Sequence, residues 1–314
     1  MVVVADEKDS AFTVIVAIFA NLGIAIAKGI AGALSGSAAM ISEAAHSVAD
    51  TMNEVLLLVA VRRSDRPADA RHPFGYGRER YFWTLLAAVG IFVGGGVFSV
   101  LQGVNELRGG EGEGGHFRLS YIVLAVSFGL ELVSWLQARS QLRSDAARTG
   151  RKMRDQLWAT TDPAATTVFF EDTAALAGLV IAGIGVALHE ATHDSMWDGL
   201  ASIAIGVLLA VVAVALGREN RSLIVGEAAD PRLQEGVRDL LVAHPEVDAV
   251  DELLTMVIGR GEVLVAARID LDDDITAGQV EALARRMERE IIAEHPFVRH
   301  FFLDVTADSG TPQP

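Results

Sequence analysis

Six apolar stretches, each about 20 residues long, alternate with short polar segments over the first two thirds of the chain. They run Phe12–Gly32, Ala38–Val61, Phe82–Val104, Leu119–Gln141, Thr166–Leu188 and Trp197–Leu216. A helix rises about 1.5 Å per residue, so each is long enough to cross a hydrocarbon core about 30 Å thick. After Arg221 the periodicity changes. Pro231–Ala243 reads as a helix, Val247–Ile258 and Glu262–Leu271 as strands joined at Gly259-Arg260-Gly261, Thr276–Glu294 as an amphipathic helix, and Val298–Val305 as a closing strand. The expected fold is a membrane α-helical bundle of six transmembrane helices followed by a C-terminal α+β, ferredoxin-like αββαβ domain. The expected boundaries are 1–221 for the spans, 222–308 for the second domain and 309–314 for a disordered tail. So small a second domain has a modest core, which favours pairing with a second copy as a homodimer.

The polar segments set an orientation. Arg62, Arg63, Arg66, Arg71, Arg78 and Arg80 follow the second span. Arg143, Arg148, Arg151, Lys152 and Arg154 follow the fourth, and Arg218 and Arg221 the sixth. The opposite loops are poor in bases, so the positive-inside rule predicts a multi-pass protein with both termini in the cytoplasm. In a bacterium this would be the inner membrane. No cleavable signal peptide is expected, because the N-terminus is acidic and the first apolar run has a spanning helix's length.

Composition agrees with membrane residence: 51% of the 314 residues are hydrophobic and the mean hydropathy is +0.35. The absence of Cys excludes disulfides and thiolate metal sites. The formal charge is −15, and from Ser222 onward 19 Asp and Glu face 8 Arg. Such a tail disfavours nucleic acid as a partner. No nucleophile constellation or phosphate-binding glycine loop points to an enzyme.

The informative residues are polar ones inside the spans. His46 and Asp50 stand four apart in the second span, with Glu43 and Asn53 on the same stripe. The fifth span contributes Glu171 and Asp172, the fourth Glu131 and Ser134, and the first Asn21 and Lys28. An ionised side chain at mid-membrane costs about 2.5–3.5 kcal/mol on insertion scales. These groups therefore need a cation, protons or buried partners. One reading is a set of interhelical hydrogen bonds with Lys28 neutralising an acid or reaching the interface. The other, favoured by His and Asp at ligand spacing opposite a second acidic helix, is a divalent-metal path whose groups also bind protons.

The motifs SGSAAMISEAAHSVAD, RPADARHPFGYGRER and WDGLASIAIGVLL resemble those of the cation diffusion facilitator family of metal/proton antiporters. With FFEDTAALAG, the chain looks most similar to the branch that includes the animal mitochondrial zinc transporter. The resemblance implies efflux of a divalent cation by proton antiport from a homodimer in the lipid bilayer. It implies a site with two ligands from the second span and two from the fifth. His46, Asp50 and Asp172 match, but Val168 stands at the remaining position. Glu171, Asn53, Glu43, Asn21 or water are left for the fourth ligand. Zn²⁺ is the expected substrate, with Mn²⁺, Fe²⁺ or Co²⁺ also compatible with a mixed N/O site. A second family site in the loop is matched by Asp69 and His72, but Tyr76 replaces its other His, so that site is expected to be absent or weak. His244, His295 and His300 are expected to be ordinary surface histidines. Two other functions fit the same residues: a non-transporting metal sensor or assembly subunit, and a proton antiporter of an organic cation.

Overall fold

A computed structural model describes residues 7–109, 117–148, 152, 164–272 and 274–306. The chain divides into two compact units. The first holds the long helices, and the second holds the C-terminal domain together with the Ser64–Arg78 segment.

The helical unit contains α1 (Glu7–Ser35), α2 (Ala38–Ser64), α3 (Glu79–Leu107), α4 (Phe117–Arg148), α5 (Ala164–Thr192) and α6 (Met196–Val225). Among the described residues, α2 to α6 give five helices long and apolar enough to cross a membrane. In α1 the described apolar stretch is Asn21–Ser35. The helices outrun the apolar windows because their polar ends continue the backbone ladder: α6 extends past Leu216 to Val225, and α4 past Gln141 to Arg148. Large apolar side chains point outward, among them Ile26 and Ile30 on α1 and Val207 and Val211 on α6. An outward apolar face is stable in lipid.

Glycines decide which helices approach closely. A Cβ on Gly103 of α3 would lie 2.5 Å from the Gly199 carbonyl of α6, and one on Gly206 would lie 2.7 Å from the Gly96 carbonyl. The two backbones therefore touch along a seam with no room for side chains. Within α3, Ile91–Val97 forms a π-helical stretch, which carries Gly96 onto the backbone of α6 at Gly206 and Ala210. A third contact joins α5 to α6, where a Cβ on Gly185 would meet Ala201 Cβ at 2.5 Å. Gly183, by contrast, faces open space.

Asp198, fully buried on α6, anchors the start of α2. Its Oδ1 accepts from Ser37 Oγ at 2.7 Å and its Oδ2 from the Ala39 amide at 3.2 Å. An acid from a neighbouring helix thus satisfies donors that a helix N-terminus leaves open. Ser202, one turn along α6, bonds Ser42 Oγ and the Ser99 carbonyl.

The second unit is built as α7 (Pro231–Val242), β1 (Val247–Gly259), β2 (Glu262–Leu271), α8 (Ala277–Glu294) and β3 (Val298–Thr306). The sheet order is β1-β2-β3, with β1 antiparallel and β3 parallel to β2. Central β2 buries Val263, Val265, Ala267, Ile269 and Leu271, alternating as a one-face strand should. These pack with Val237 and Leu241 of α7 and Leu283, Met287 and Ile291 of α8. Asp230 caps α7 through the Arg232 amide, and Thr276 with Gln279 forms a capping box on α8. The segment 64–78 lies on this unit, where a Cβ on Gly77 would fall 2.6 Å from the Ile258 carbonyl. The expected tail at 309–314 lies outside the described residues.

Gly103→Ala should lower stability by about 1–3 kcal/mol, because the methyl meets backbone that cannot rotate away. Gly183→Ala should be neutral or slightly stabilising, since alanine is the better helix former. Thermal unfolding of both variants in one detergent checks the contrast.

Candidate functional site

The polar stripe of α2 is divided between two environments. Toward α1, Lys28 Nζ donates to Glu43 Oε2 at 3.0 Å and to Ser47 Oγ at 2.8 Å. Lys28 and Glu43 are both 0% exposed. Gly178 of α5 makes the space for this pair, as a Cβ there would stand 2.5 Å from Glu43 Oε1. Glu43 thus has its counter-charge inside the protein, and it does not line the polar cavity of the bundle.

That cavity, of about 180 Å³, opens between α1, α2, α4 and α5. Asp50, Asn53 and Glu54 line it from α2, Asn21 from α1, Glu131 and Ser134 from α4, and Glu171 and Asp172 from α5. Three side chains donate to its carboxylates. Asn21 Nδ2 donates to Glu54 Oε1 at 2.7 Å, Asn53 Nδ2 to Glu171 Oε1 at 2.8 Å, and Ser134 Oγ to Asp172 Oδ2 at 2.7 Å. Five carboxyl groups therefore share one space, and among the described residues lining it none is Lys, Arg or His.

His46 stands behind this wall. It is 3% exposed, and its Nδ1 lies 3.4 Å from Asp50 Oδ1. Neither ring nitrogen has a hydrogen-bond partner among the described residues. Adjacent residues on a helix point about 100° apart, yet Glu171 and Asp172 both reach the cavity because it extends from α2 to α4. Glu171 turns toward Asn53 and Asp172 toward Ser134. Val168 lines the cavity with an apolar surface. The carboxylates ring a space rather than a point, and among the described residues no three His, Asp or Glu side chains converge on one ion position.

The sequence reading gave Glu54 and Glu131 no ligand role. Glu54 had a signal, since it follows Asp50 by four on the same helix. Glu131 had only its polarity within an apolar span.

The loop pair is arranged differently. Asp69 Oδ2 accepts from the Tyr76 hydroxyl at 2.6 Å, and Oδ1 from the amides of Arg71 and His72 at 2.8 Å each. The His72 ring lies tilted against Tyr76, with ring centroids 4.2 Å apart. The Tyr76 hydroxyl, with the amide donors, brings the Asp69 carboxyl down to about 2. Asp69 therefore organises a turn, and the residue replacing the second His is its strongest donor.

The C-terminal histidines differ from the expectation of ordinary surface residues. His244 is buried, with Nε2 3.1 Å from Glu290 Oε2 and Nδ1 3.0 Å from Arg286 Nη2. His295 packs under Gly236, and His300 meets Phe74 edge-on and stacks with Phe302. Their positions at element ends gave no hint that neighbouring elements cover them.

Comparison with known proteins decides the family. The model described as the cation efflux transmembrane domain matches residues 14–225, and that of the cation efflux protein cytoplasmic domain matches 229–305. The chain belongs to the cation efflux, or cation diffusion facilitator, family. This family comprises transporters rather than enzymes, and the protein is an integral, multi-pass membrane protein. It is similar to metal tolerance protein C4 of Arabidopsis thaliana, at 34% identity over 82% of this chain and 55% of that protein. It is similar to the mitochondrial proton-coupled zinc antiporter of Mus musculus, at 32% identity over 76% of this chain and 42% of that protein. The match thus spans about half of each. A manganese efflux system protein of Bacillus subtilis is 22% identical over 95% of this chain and 96% of its own length.

Lys28→Met should destabilise the cation efflux bundle by about 3 kcal/mol or more, because it strands a buried carboxylate. Lys28→Met with Glu43→Met should recover most of the loss, which unfolding of the two variants in detergent will read. Tyr76→Phe should raise the Asp69 carboxyl toward the usual Asp range. Because the Asp69 value is depressed in the folded protein, its stabilisation is present above pH 4 and fades toward pH 2. Carboxyl NMR titration of both forms checks the shift.

Proposed function

We propose that this chain exports a divalent metal cation from the cytoplasm in exchange for protons. Zinc is the favoured substrate, and manganese, iron or cobalt are compatible with the donors. The observation that carries the reading is the cavity of five carboxyl groups with no cation among its described lining residues. A dication beside Asp50 and Asp172 would neutralise it, and so would protons, and competition between the two is what antiport requires. His46 would reach the ion past Asp50, and Glu171 would supply the fourth donor in place of Val168. Asn53 and Asn21 hold the neighbouring acids. Glu43 drops out of the ligand set, because Lys28 holds it. Asp69 and His72 would form no strong second site.

In this reading α1 to α6 all span the membrane with both termini cytoplasmic, and the αββαβ unit is a ferredoxin-like domain that joins two copies as a homodimer. The zinc antiporter and the manganese efflux protein among its relatives support a divalent substrate. The glycine seams of α3 and α5 against α6 would let helices shift without side-chain collisions.

The test is metal uptake into proteoliposomes under an imposed pH gradient, with zinc, manganese, iron and cobalt offered in turn. Asp50→Ala and Asp172→Ala should each lower the rate by 100-fold or more, about 2.7 kcal/mol. Glu171→Gln should have a smaller effect, and Glu43→Gln with Lys28→Met should leave metal selectivity unchanged. Uptake of no metal by correctly inserted protein would overturn the proposal in favour of a sensor or an organic-cation carrier.

A further inference from the structure

A second group of buried titratable side chains lies at the opposite end of the helical unit, where α3 and α5 end and α6 begins. Glu106 ends α3, His189 lies in the last turn of α5, and Asp198 stands in the first turn of α6. They are 8%, 4% and 0% exposed. The glycine contacts bring them together. Glu106 packs on the α6 backbone at Gly199, where an added Cβ would meet Glu106 Cβ at 3.2 Å. Gly185, one turn before His189, lies against Asp198, whose Cα would stand 3.7 Å from a Cβ there. His189 is within electrostatic reach of both carboxylates.

The three groups are unequally satisfied. Asp198 is held by Ser37 and the Ala39 amide. Glu106 accepts from Ser195, but its Oε1 has no hydrogen-bond partner among the described residues, and neither does His189 Nδ1. From α4, the Phe117 ring meets the imidazole edge-on, while Tyr121, one turn further along α4, donates to Glu190, the neighbour of His189. A buried polar atom left without a partner is destabilising. Here an acceptor and a ring nitrogen that becomes a donor on protonation sit in one cluster, beside a second carboxylate. One proton on His189 would place a cation in the cluster that holds the two acids.

We infer that Glu106, His189 and Asp198 form a proton-binding site at the outer end of the bundle, separate from the metal cavity. This deepens the antiport proposed above and rests on its orientation. A proton arriving from outside would bind at His189 and draw the ends of α3, α5 and α6 together. Because Asp198 also holds the start of α2, the closed cluster fixes the outer end of the helix that carries His46 and Asp50. Loss of the proton leaves the two carboxylates of the cluster without a cation and loosens that end. The exchange moves one proton to and from His189 and breaks no other bond.

Two measurements test this. In proteoliposomes holding the full chain, zinc transport is followed while the outer pH is varied and the inner pH is fixed. Wild type should accelerate as the outer side is acidified. His189→Asn and Glu106→Gln should flatten that dependence or move it by about one pH unit, with apparent zinc affinity on the inner side changed less than about twofold. Profiles superimposable on wild type would overturn the inference while leaving the antiport intact. The second readout is independent of transport: NMR of histidine-ring-labelled protein in nanodiscs. The His189 signal, identified by its loss in His189→Asn, should move in Glu106→Gln. A His189 signal identical in wild type and Glu106→Gln would overturn the inference even if wild type transported no metal.

Discussion

A carboxylate inside an apolar helix bundle is stable only beside a cation, a proton or enough hydrogen-bond donors. The helical unit meets that condition in three ways. Glu43 has Lys28. Asp198 has a hydroxyl and a backbone amide at the head of α2. Among the described residues, the cavity acids are met by the side chains of Asn21, Asn53 and Ser134 and by the His46 ring beside Asp50, and no Lys or Arg lines the cavity. The first two arrangements draw a counter-charge or donors from within the protein and hold helices together. The third has no counter-charge among the described residues that line the cavity.

Close helix packing makes these arrangements possible. α6 is the common partner: its Gly199 and Gly206 receive α3, its Ala201 receives Gly185 of α5, and its Asp198 receives α2. Packing between helices in lipid has no hydrophobic driving force, so small residues and buried polar bonds carry it. The same glycines set the register at which polar residues meet. Moving α3 by one residue relative to α6 would carry Glu106 off Gly199, since each step turns a helix by about 100°.

Much of this was legible in the sequence. Helix positions follow from apolar length, and the strands from alternation, as in β2, where every second residue from Val263 to Leu271 is buried. The pairing of polar residues was not legible. Glu43, His46 and Asp50 share one stripe, and no periodicity says that the first turns to Lys28 while the last faces a cavity. Those outcomes depend on helix rotation, which is set by contacts with residues distant in the chain. The cluster of Glu106, His189 and Asp198 was hidden for the same reason, as three helices contribute one residue each. The loop was misleading for another reason. Tyr76 looked like a lost ligand, and in the fold it is the donor that holds Asp69.

The donor set also bears on which metal the proposed site would prefer. Every lining group able to ligate a cation offers oxygen, and the one imidazole lies behind Asp50. Oxygen donors accept manganese readily, whereas nitrogen donors raise the preference for zinc. The substrate then turns on whether His46 reaches the ion. Its unpartnered ring nitrogens impose no bond that must be broken first, and its Nδ1 already lies 3.4 Å from an Asp50 oxygen. An ion drawn toward Asp50 would lie on the side of the cavity nearest the His46 imidazole. One held between Glu171 and Glu131 would see only oxygen. In the proposed transport cycle a single cavity would offer two coordination chemistries, and the position of the ion within it, rather than the list of ligands, would set the selectivity.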